Sequence, residues 1–181
     1  PLRDAKEQLI MVDFNKKIIN SDKFRQAAIY YEKHKVYCPY PVGTTEYVKY
    51  LDEETRRSID GYTSDDGDFI SGYNYFYLNY CPILRLVETE YTDRYGHKKT
   101  RRVRDRAFAD FYDYDYFYYL GIEDAEDTGK HMVALKARGK GYSFKGGSML
   151  CRNYFLIPNS KSYAVASEKE FLTKDGLLTK A

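Results

Sequence analysis

The chain of 181 residues carries 29 Lys or Arg against 27 Asp or Glu, a net charge of +2, with a mean hydropathy of −0.68. With 31% charged residues and no apolar run near the roughly 18–20 residues that cross a bilayer, it is not expected to span a membrane by helices. The opening Pro1-Leu2-Arg3-Asp4-Ala5-Lys6-Glu7 lacks the apolar stretch of a secretory signal, and from the missing initiating Met a trimmed or excerpted sequence is expected. This length suits one ordinary domain, or a small N-terminal module with part of a second.

The aromatic residues number 21 Tyr and 10 Phe with no Trp. Tyrosine buries a ring while its hydroxyl seeks a partner, which suits partly exposed faces and interfaces. Cys38, Cys81 and Cys151 are odd in number and widely spaced, and His34, His97 and His131 are equally scattered. Neither a zinc site nor a disulfide framework follows, and reduced cytosolic thiols are expected. Charge is unevenly spread. Arg94, Lys98, Lys99, Arg101, Arg102, Arg104 and Arg106 form a basic run, while Ala107–Thr128 holds acids and no Lys or Arg. From Gly129 to Ser167, 39 residues contain no carboxylate, a composition that favours an anion or an acidic neighbour.

In chain order, apolar residues from Leu9 to Ala28 follow a helical period, which predicts helix over Arg3–Lys35 with a break and N-cap at Ser21-Asp22. Pro39 and Pro41 end that region. A second helix is predicted over Thr45–Ser58, capped by Thr44 or Thr45. Thr63–Asp68 reads as a turn. Phe69–Ile83 is so aromatic that strand and helix remain open alternatives. Leu84–Thr92 and Lys98–Arg106 read as a β-hairpin whose second arm carries the basic run. Two readings of that arm stand: contact with DNA phosphates or a neighbouring subunit, or a solvated face balanced by the acidic helix predicted over Phe111–Ala125. His131–Leu135 then reads as a buried strand, Ser143–Phe155 as helix and Tyr163–Ser167 as a second strand. Strand, loop, helix and strand form a βαβ unit, so the fold class is α/β with a parallel sheet.

Lys136-Ala137-Arg138-Gly139-Lys140-Gly141-Tyr142-Ser143 connects the first strand to its helix. Against G-x-x-x-x-G-K-[ST] it keeps Gly141 and Ser143, but places Lys136 at the first glycine and Tyr142 at the lysine. The chemistry of a phosphate loop is nevertheless present. Gly139 and Gly141 permit a tight turn that presents N–H groups, and the following helix directs its positive end to the same point. Lys136, Arg138, Lys140 and Lys145 supply cations, and Ser143 a hydroxyl for Mg²⁺. The plainer reading is a basic, glycine-containing turn.

Leu135–Ser143 resembles the variant Walker A of phage terminase large subunits, in which a strand leads into K-A-R-x-x-G-[FYK]-[ST]. Gly72-Tyr73-Asn74-Tyr75-Phe76-Tyr77-Leu78-Asn79 is similar to the G-Y-x-Y-[FY]-Y-L-N segment before that ATPase core, and Phe111–Phe117 resembles its F-x-D-x-D-x-x-[FY] segment. The similarity covers about residues 37–170. It implies a helical and β-hairpin region at 1–106 and, at 107–181, the truncated start of a P-loop NTPase with an incomplete parallel sheet. The implied cofactors are ATP and Mg²⁺, with Lys136, Arg138, Gly139, Lys140, Gly141, Tyr142 and Ser143 at the phosphates, Ser143 on the metal, and Phe111, Tyr112 and Tyr114 near adenine. Lys136, then Lys140, is the expected substitute for the lysine that Tyr142 replaces.

The implied partners are double-stranded DNA, portal protein and the small terminase subunit, in the cytoplasm of the host cell, with full-length motors forming rings. No Walker B pattern follows Ser167, so the magnesium-holding and general-base carboxylates, and the nuclease of such proteins, are expected beyond Ala181. The chain alone is therefore expected not to hydrolyse ATP. A non-catalytic nucleic-acid-binding or virion-assembly module is the alternative from another class, and a helicase-like P-loop motor is a third possibility.

Overall fold

The computed structural model describes residues 21–137, 139–174 and 176–181. Among them the chain is mixed α/β, with helices α1 (Ser21–Phe24), α2 (Gln26–His34), α3 (Thr45–Asp60), α4 (Gly72–Tyr80), α5 (Asp113–Asp127), α6 (Tyr142–Leu156) and α7 (Glu170–Thr173). The strands form two antiparallel pairs, β1 (Tyr62–Thr63) with β2 (Phe69–Ile70), and β3 (Ile83–Thr92) with β4 (Lys98–Ala107). The helix expected over residues 3–20 lies outside the described residues.

Local signals account for most boundaries. Thr44 caps α3 by accepting a hydrogen bond from the Tyr47 N–H at 3.2 Å, and Gly61, at φ 85°, ends the helix. The expected break at Ser21-Asp22 borders residues outside those described, and an interruption not expected from the sequence falls at Arg25, whose φ of −110° separates α1 from α2. Phe69–Ile83 divides its two readings: Phe69–Ile70 is strand, and Ser71 caps a helix from Gly72 onward by accepting from the Asn74 N–H at 3.3 Å. Burial on nearly every side explains why periodicity could not settle this segment, since α4 is the central helix and lacks a polar face.

The core collects around α4. Phe24, Ile70, Tyr73, Tyr75, Tyr77, Leu78, Ala109, Phe111, Tyr119 and Ile122 are buried together, with Phe144 and Met149 of α6 packed against them. Tyrosine can dominate this interior because the hydroxyls of Tyr73, Tyr75, Tyr80 and Tyr119 find partners. Tyr75 and Tyr80 both donate to Glu54 Oε2, at 2.7 and 2.5 Å, Tyr73 donates to Glu126 at 2.7 Å, and Tyr119 pairs with Ser148 at 3.1 Å. Burial raises the Tyr73 hydroxyl to about 12, so it remains a donor. Asn79, fully buried, accepts from the Ala28 N–H at 3.1 Å and donates to the Phe24 and Tyr75 carbonyls, tying α4 to the first two helices.

The long hairpin matches its sequence expectation closely, with Leu84 facing Arg106, Leu86 facing Arg104 and Glu88 facing Arg102. Its turn is set by Asp93, which accepts from the N–H groups of Tyr95 and His97 at 2.8 and 3.0 Å, and by Gly96 at φ 86°. At the base, Arg85 donates to the Phe108 carbonyl at 2.9 Å and pairs with Asp110.

The two expected parallel strands are not formed. His131–Leu135 and Tyr163–Ser167 have no ladder partner among the described residues, and Val133 and Leu135 are 92% and 102% exposed. Met132, itself exposed, reaches Gly121 of α5 with the end of its side chain. Apolar composition suits a strand for burial, but a parallel strand also needs a strand beside it for its N–H and C=O groups, and no described strand pairs with either run. The βαβ unit is thus reduced to its helix, α6, flanked by two extended segments.

Replacing Asn79 by Leu removes three hydrogen bonds from a fully buried position. Urea unfolding should show a loss of about 2–4 kcal/mol, since buried groups left without partners each cost about 1–3 kcal/mol. Glu123 offers a pH test. Burial raises its carboxyl from 4.5 to about 7, against the opposing hydrogen bond from the Tyr73 N–H. A raised carboxylate stabilises the fold most when protonated, so its contribution is complete below 4.5 and is lost as pH rises through 7. Thermal midpoints measured across that window should fall for the wild type, and Glu123→Gln should flatten the decline.

Candidate functional site: the loop before α6

Lys140, before α6, and Lys145, in its first turn, lie against the first turns of α5. Gly139 and Gly141 both adopt left-handed backbone, at φ 82° and 72°, the conformation for which glycine was singled out in the sequence. Gly141 occupies the N-cap position of the 15-residue α6, with no side-chain cap and no acid in the first turn. The N-terminal end of this helix dipole is therefore uncompensated from within the helix.

The other face of α6 explains its internal glycines. A Cβ on Gly146 would meet Leu177 Cδ1 at 2.6 Å, and one on Gly147 would meet the Lys180–Ala181 backbone at 2.9 Å. Close packing against the chain's last turns fills the space that side chains would need, and this offsets their roughly 1 kcal/mol per-residue cost to the helix. Further along, the buried guanidinium of Arg152 donates to the carbonyls of Ser58 and Ile59 at 2.7 and 3.0 Å and lies 3.9 Å from the Tyr73 ring. It closes the C-terminal end of α3 and sets the direction in which α6 points its start.

Beneath the loop sits a buried ion pair. Lys145 of α6 and Asp115 of α5 are in contact, with side chains only 1% and 6% exposed. The ammonium also donates to the Lys140 carbonyl at 3.1 Å. It lies over three rings, Tyr142 at 4.3 Å, Tyr114 at 4.7 Å and Tyr118 at 5.7 Å. Burial lowers the Lys145 pKa, and the charges of Lys140 and Lys136 lower it further, against the pull of Asp115. Burial likewise raises the Asp115 carboxyl against the pull of Lys145. Each partner opposes the neutral form that burial favours in the other.

Two more lysines approach the same rings from outside. Lys136 Nζ lies 5.6 Å from the Tyr142 ring and Lys140 Nζ lies 5.5 Å from the Tyr114 ring. Both residues are exposed, and neither has a carboxylate partner among the described residues. Three ammonium groups thus surround two tyrosines with one carboxylate between them, an excess of positive charge at a free helix N-terminus. A dianion is the complementary species.

Of the sequence-predicted residues, Lys136, Gly139, Lys140, Gly141 and Tyr142 come together here, and Ser143 is exposed in the first turn. Arg138 lies outside the described residues. Tyr114 shares the site through its contacts with Lys140 and Lys145, and Tyr112 joins it by stacking on Tyr114 at 5.2 Å. Phe111 does not join them: it is buried in the core, with its ring 6.0 Å from Tyr116. An F-x-D-x-D pattern does not reveal which aromatic faces inward, and here the one preceding the helix serves the core.

Two roles escaped the sequence reading. Lys145 was one cation among several, and Asp115 one acid in an acidic helix. Their signal was present, since each is a lone charge between apolar or small neighbours, Tyr114 and Tyr116 for the one, Phe144 and Gly146 for the other. Among the described residues no group of three or more His, Cys, Asp or Glu is placed to hold a metal ion. No protein-family model, curated protein or solved structure matches this chain.

Asp115→Asn leaves Lys145 buried without its counter-charge and should cost about 3–5 kcal/mol in urea unfolding. The double variant Asp115→Leu with Lys145→Met should recover most of that loss. A double variant no more stable than the single would show that this site needs the ionic contact itself.

Proposed function

We propose that the loop 136–143 binds the phosphates of a nucleoside triphosphate, and that the chain is the N-terminal, ATP-binding part of a terminase large subunit, the motor that packages double-stranded DNA into capsids. One observation carries the nucleotide reading: Lys136 and Lys140, without carboxylate partners among the described residues, converge on the uncapped start of α6. Backbone N–H groups at a helix start, two left-handed glycines and unneutralised ammonium groups suit a phosphate chain. The motif resemblance at Leu135–Ser143, Gly72–Asn79 and Phe111–Phe117 supports the terminase assignment.

The residues present fit the phosphates better than they fit a magnesium ion. Ser143 offers one exposed hydroxyl, and magnesium sites ordinarily add one or two carboxylates and several waters to the phosphate oxygens. In this reading Mg²⁺ arrives with the nucleotide, and Ser143 adds one oxygen. Lys136 and Lys140 are both positioned to take the role of the lysine that Tyr142 replaces. Lys145 is not, because Asp115 and the tyrosine rings enclose it. Tyr112 and Tyr114, stacked and exposed, offer a surface for the base, and Arg138 is assigned to the phosphates by resemblance. The proposed partners are double-stranded DNA, portal protein and a small terminase subunit in the host cytoplasm, with assembly into a ring in the full-length motor.

The second reading, a nucleic-acid-binding or virion-assembly module without nucleotide chemistry, draws on the exposed basic strand β4. Calorimetry separates the two. Mg-ATP should bind and Mg-AMP should not, and Arg138→Ala or the pair Lys136→Ala with Lys140→Ala should weaken ATP by about ten- to a hundredfold, the range for charge-assisted hydrogen bonds. Equal binding of ATP and AMP, or variants indistinguishable from wild type, would set the phosphate loop aside in favour of the second reading.

A further inference from the structure

We infer that the β3–β4 hairpin is a DNA-contacting arm, with β4 tracking the phosphate backbone of a duplex. The inference deepens the packaging reading, which it relies on for the kind of nucleic acid, by assigning the surface that meets DNA. It stands on the hairpin's own geometry and does not use the nucleotide site.

The hairpin is built as a projection. Each strand runs for ten residues, about 33 Å at the usual rise, and the pair packs chiefly on itself. Arg85 anchors its base through Phe108 and Asp110. Beyond the base nearly every residue is exposed on both faces, so the arm contributes little to the core. A solvated arm of this length needs another reason for its composition.

Charge is sorted by strand. Strand β4 carries Lys98, Lys99, Arg101, Arg102, Arg104 and Arg106 against Asp105 alone, whereas the acids Glu88 and Glu90 belong to β3. Along β4, Arg102, Arg104 and Arg106 occupy one face, while Lys99 and Arg101 occupy the other. Cations two residues apart recur every ~6.8 Å, about twice the ~3.4 Å per-strand charge spacing along a DNA duplex. A two-stranded ribbon also fits the major groove, which is about 12 Å wide.

The bland alternative for this run, neutralisation by the acidic helix α5, is not what the ion pairs show. Among the described residues, Lys99 pairs with Asp93 and Arg102 with Glu88, both within the hairpin, and no side chain of β4 reaches an acid of α5. Arg104, Arg106 and Lys98 have no carboxylate partner there, and Arg101 rests 5.4 Å from the ring of Tyr91. The Arg102–Glu88 pair is solvent-exposed, of a kind worth little, so phosphate can displace it; in the other pair Lys99 is exposed but Asp93 is held in the turn at 11% exposure. A charged edge also discourages strand-to-strand aggregation. That purpose is met by any charges, however, and does not require six cations to be gathered on one strand. A regular row of like charges favours a polyanion of regular spacing over an acidic protein surface, which offers no such repeat.

The test is fluorescence anisotropy of the whole chain with a labelled DNA duplex, without nucleotide, across a salt series. The wild type should bind at low salt and weaken steeply as salt rises. Lys98→Gln, Arg104→Gln and Arg106→Gln together, three cations of one face, should reduce the slope of log K against log salt by about 2.7, at roughly 0.9 per phosphate contact. Binding at low salt should fall at least tenfold with the thermal transition unchanged. A control losing the same charge elsewhere, Lys49→Gln, Lys161→Gln and Lys169→Gln, should retain the wild-type slope. Equal loss in both variants would mean general charge attraction and would overturn the assignment. Absence of duplex binding by the wild type would also overturn it, and binding of polyglutamate in its place would make the arm a docking surface for an acidic protein. The nucleotide titration contains no DNA and this one no nucleotide, so each reading can fail without the other.

Discussion

The guanidinium of Arg152 is the contact on which the arrangement of helices depends. It is buried, yet among the described residues no carboxylate pairs with it; its N–H groups close the carbonyl end of α3 at Ser58 and Ile59, and its plane covers the ring of Tyr73 on α4. One side chain of α6 therefore fixes two other helices. The tolerances around it are small. A Cβ at Gly72 would run into the carbonyl of Ile59, so α4 can begin where it does only because the residue there has no side chain. The start of α6, and with it the loop 136–141, inherits its position from this junction some ten residues away along the same rigid helix.

A tyrosine-rich interior imposes a second constraint. Each buried ring brings a hydroxyl that must be satisfied, and the chain answers with carboxylates placed inside or at the edge of the core: Glu54 for Tyr75 and Tyr80, Glu126 for Tyr73. The same chemistry reappears at the candidate site in inverted form. There the rings of Tyr114, Tyr118 and Tyr142 surround an ammonium group, and their negative faces hold Lys145 beneath a loop that already carries Lys136 and Lys140. Rings that separate like charges let several cations gather in a small space. The gathering is what makes the loop attractive to an anion.

The hairpin and the loop divide the molecule's positive charge into two places of different character. At the loop the cations converge on one point, against a helix start, as suits a compact, highly charged group. Along β4 they are strung out at regular intervals on an arm that leaves the body, as suits an extended polymer. In the proposed motor, the first would take phosphates of the fuel and the second phosphates of the cargo.

Much of this was legible in the sequence. Thr44 and the Asp93–His97 turn act through neighbours a few residues away, so the start of α3 and the register of the hairpin follow from local chemistry alone, whereas the start of α4 at Ser71 emerged only in the fold. The two left-handed glycines of the loop and the helix after them were legible for the same reason. What the sequence could not decide was anything that depends on a partner distant along the chain. Apolarity marked His131–Leu135 and Tyr163–Ser167 as strands, but a strand exists only beside another, and no described segment takes that place. Phe111 and Tyr114 look alike as aromatic letters, yet packing sends one to the core and leaves the other at the loop. Lys145 stood among four cations in the sequence, and only the approach of α5 to α6 removes it from the surface by giving it Asp115. Local composition determined which residues could turn, cap and carry charge; burial, which is a property of the folded whole, decided which of those charges remain free to act.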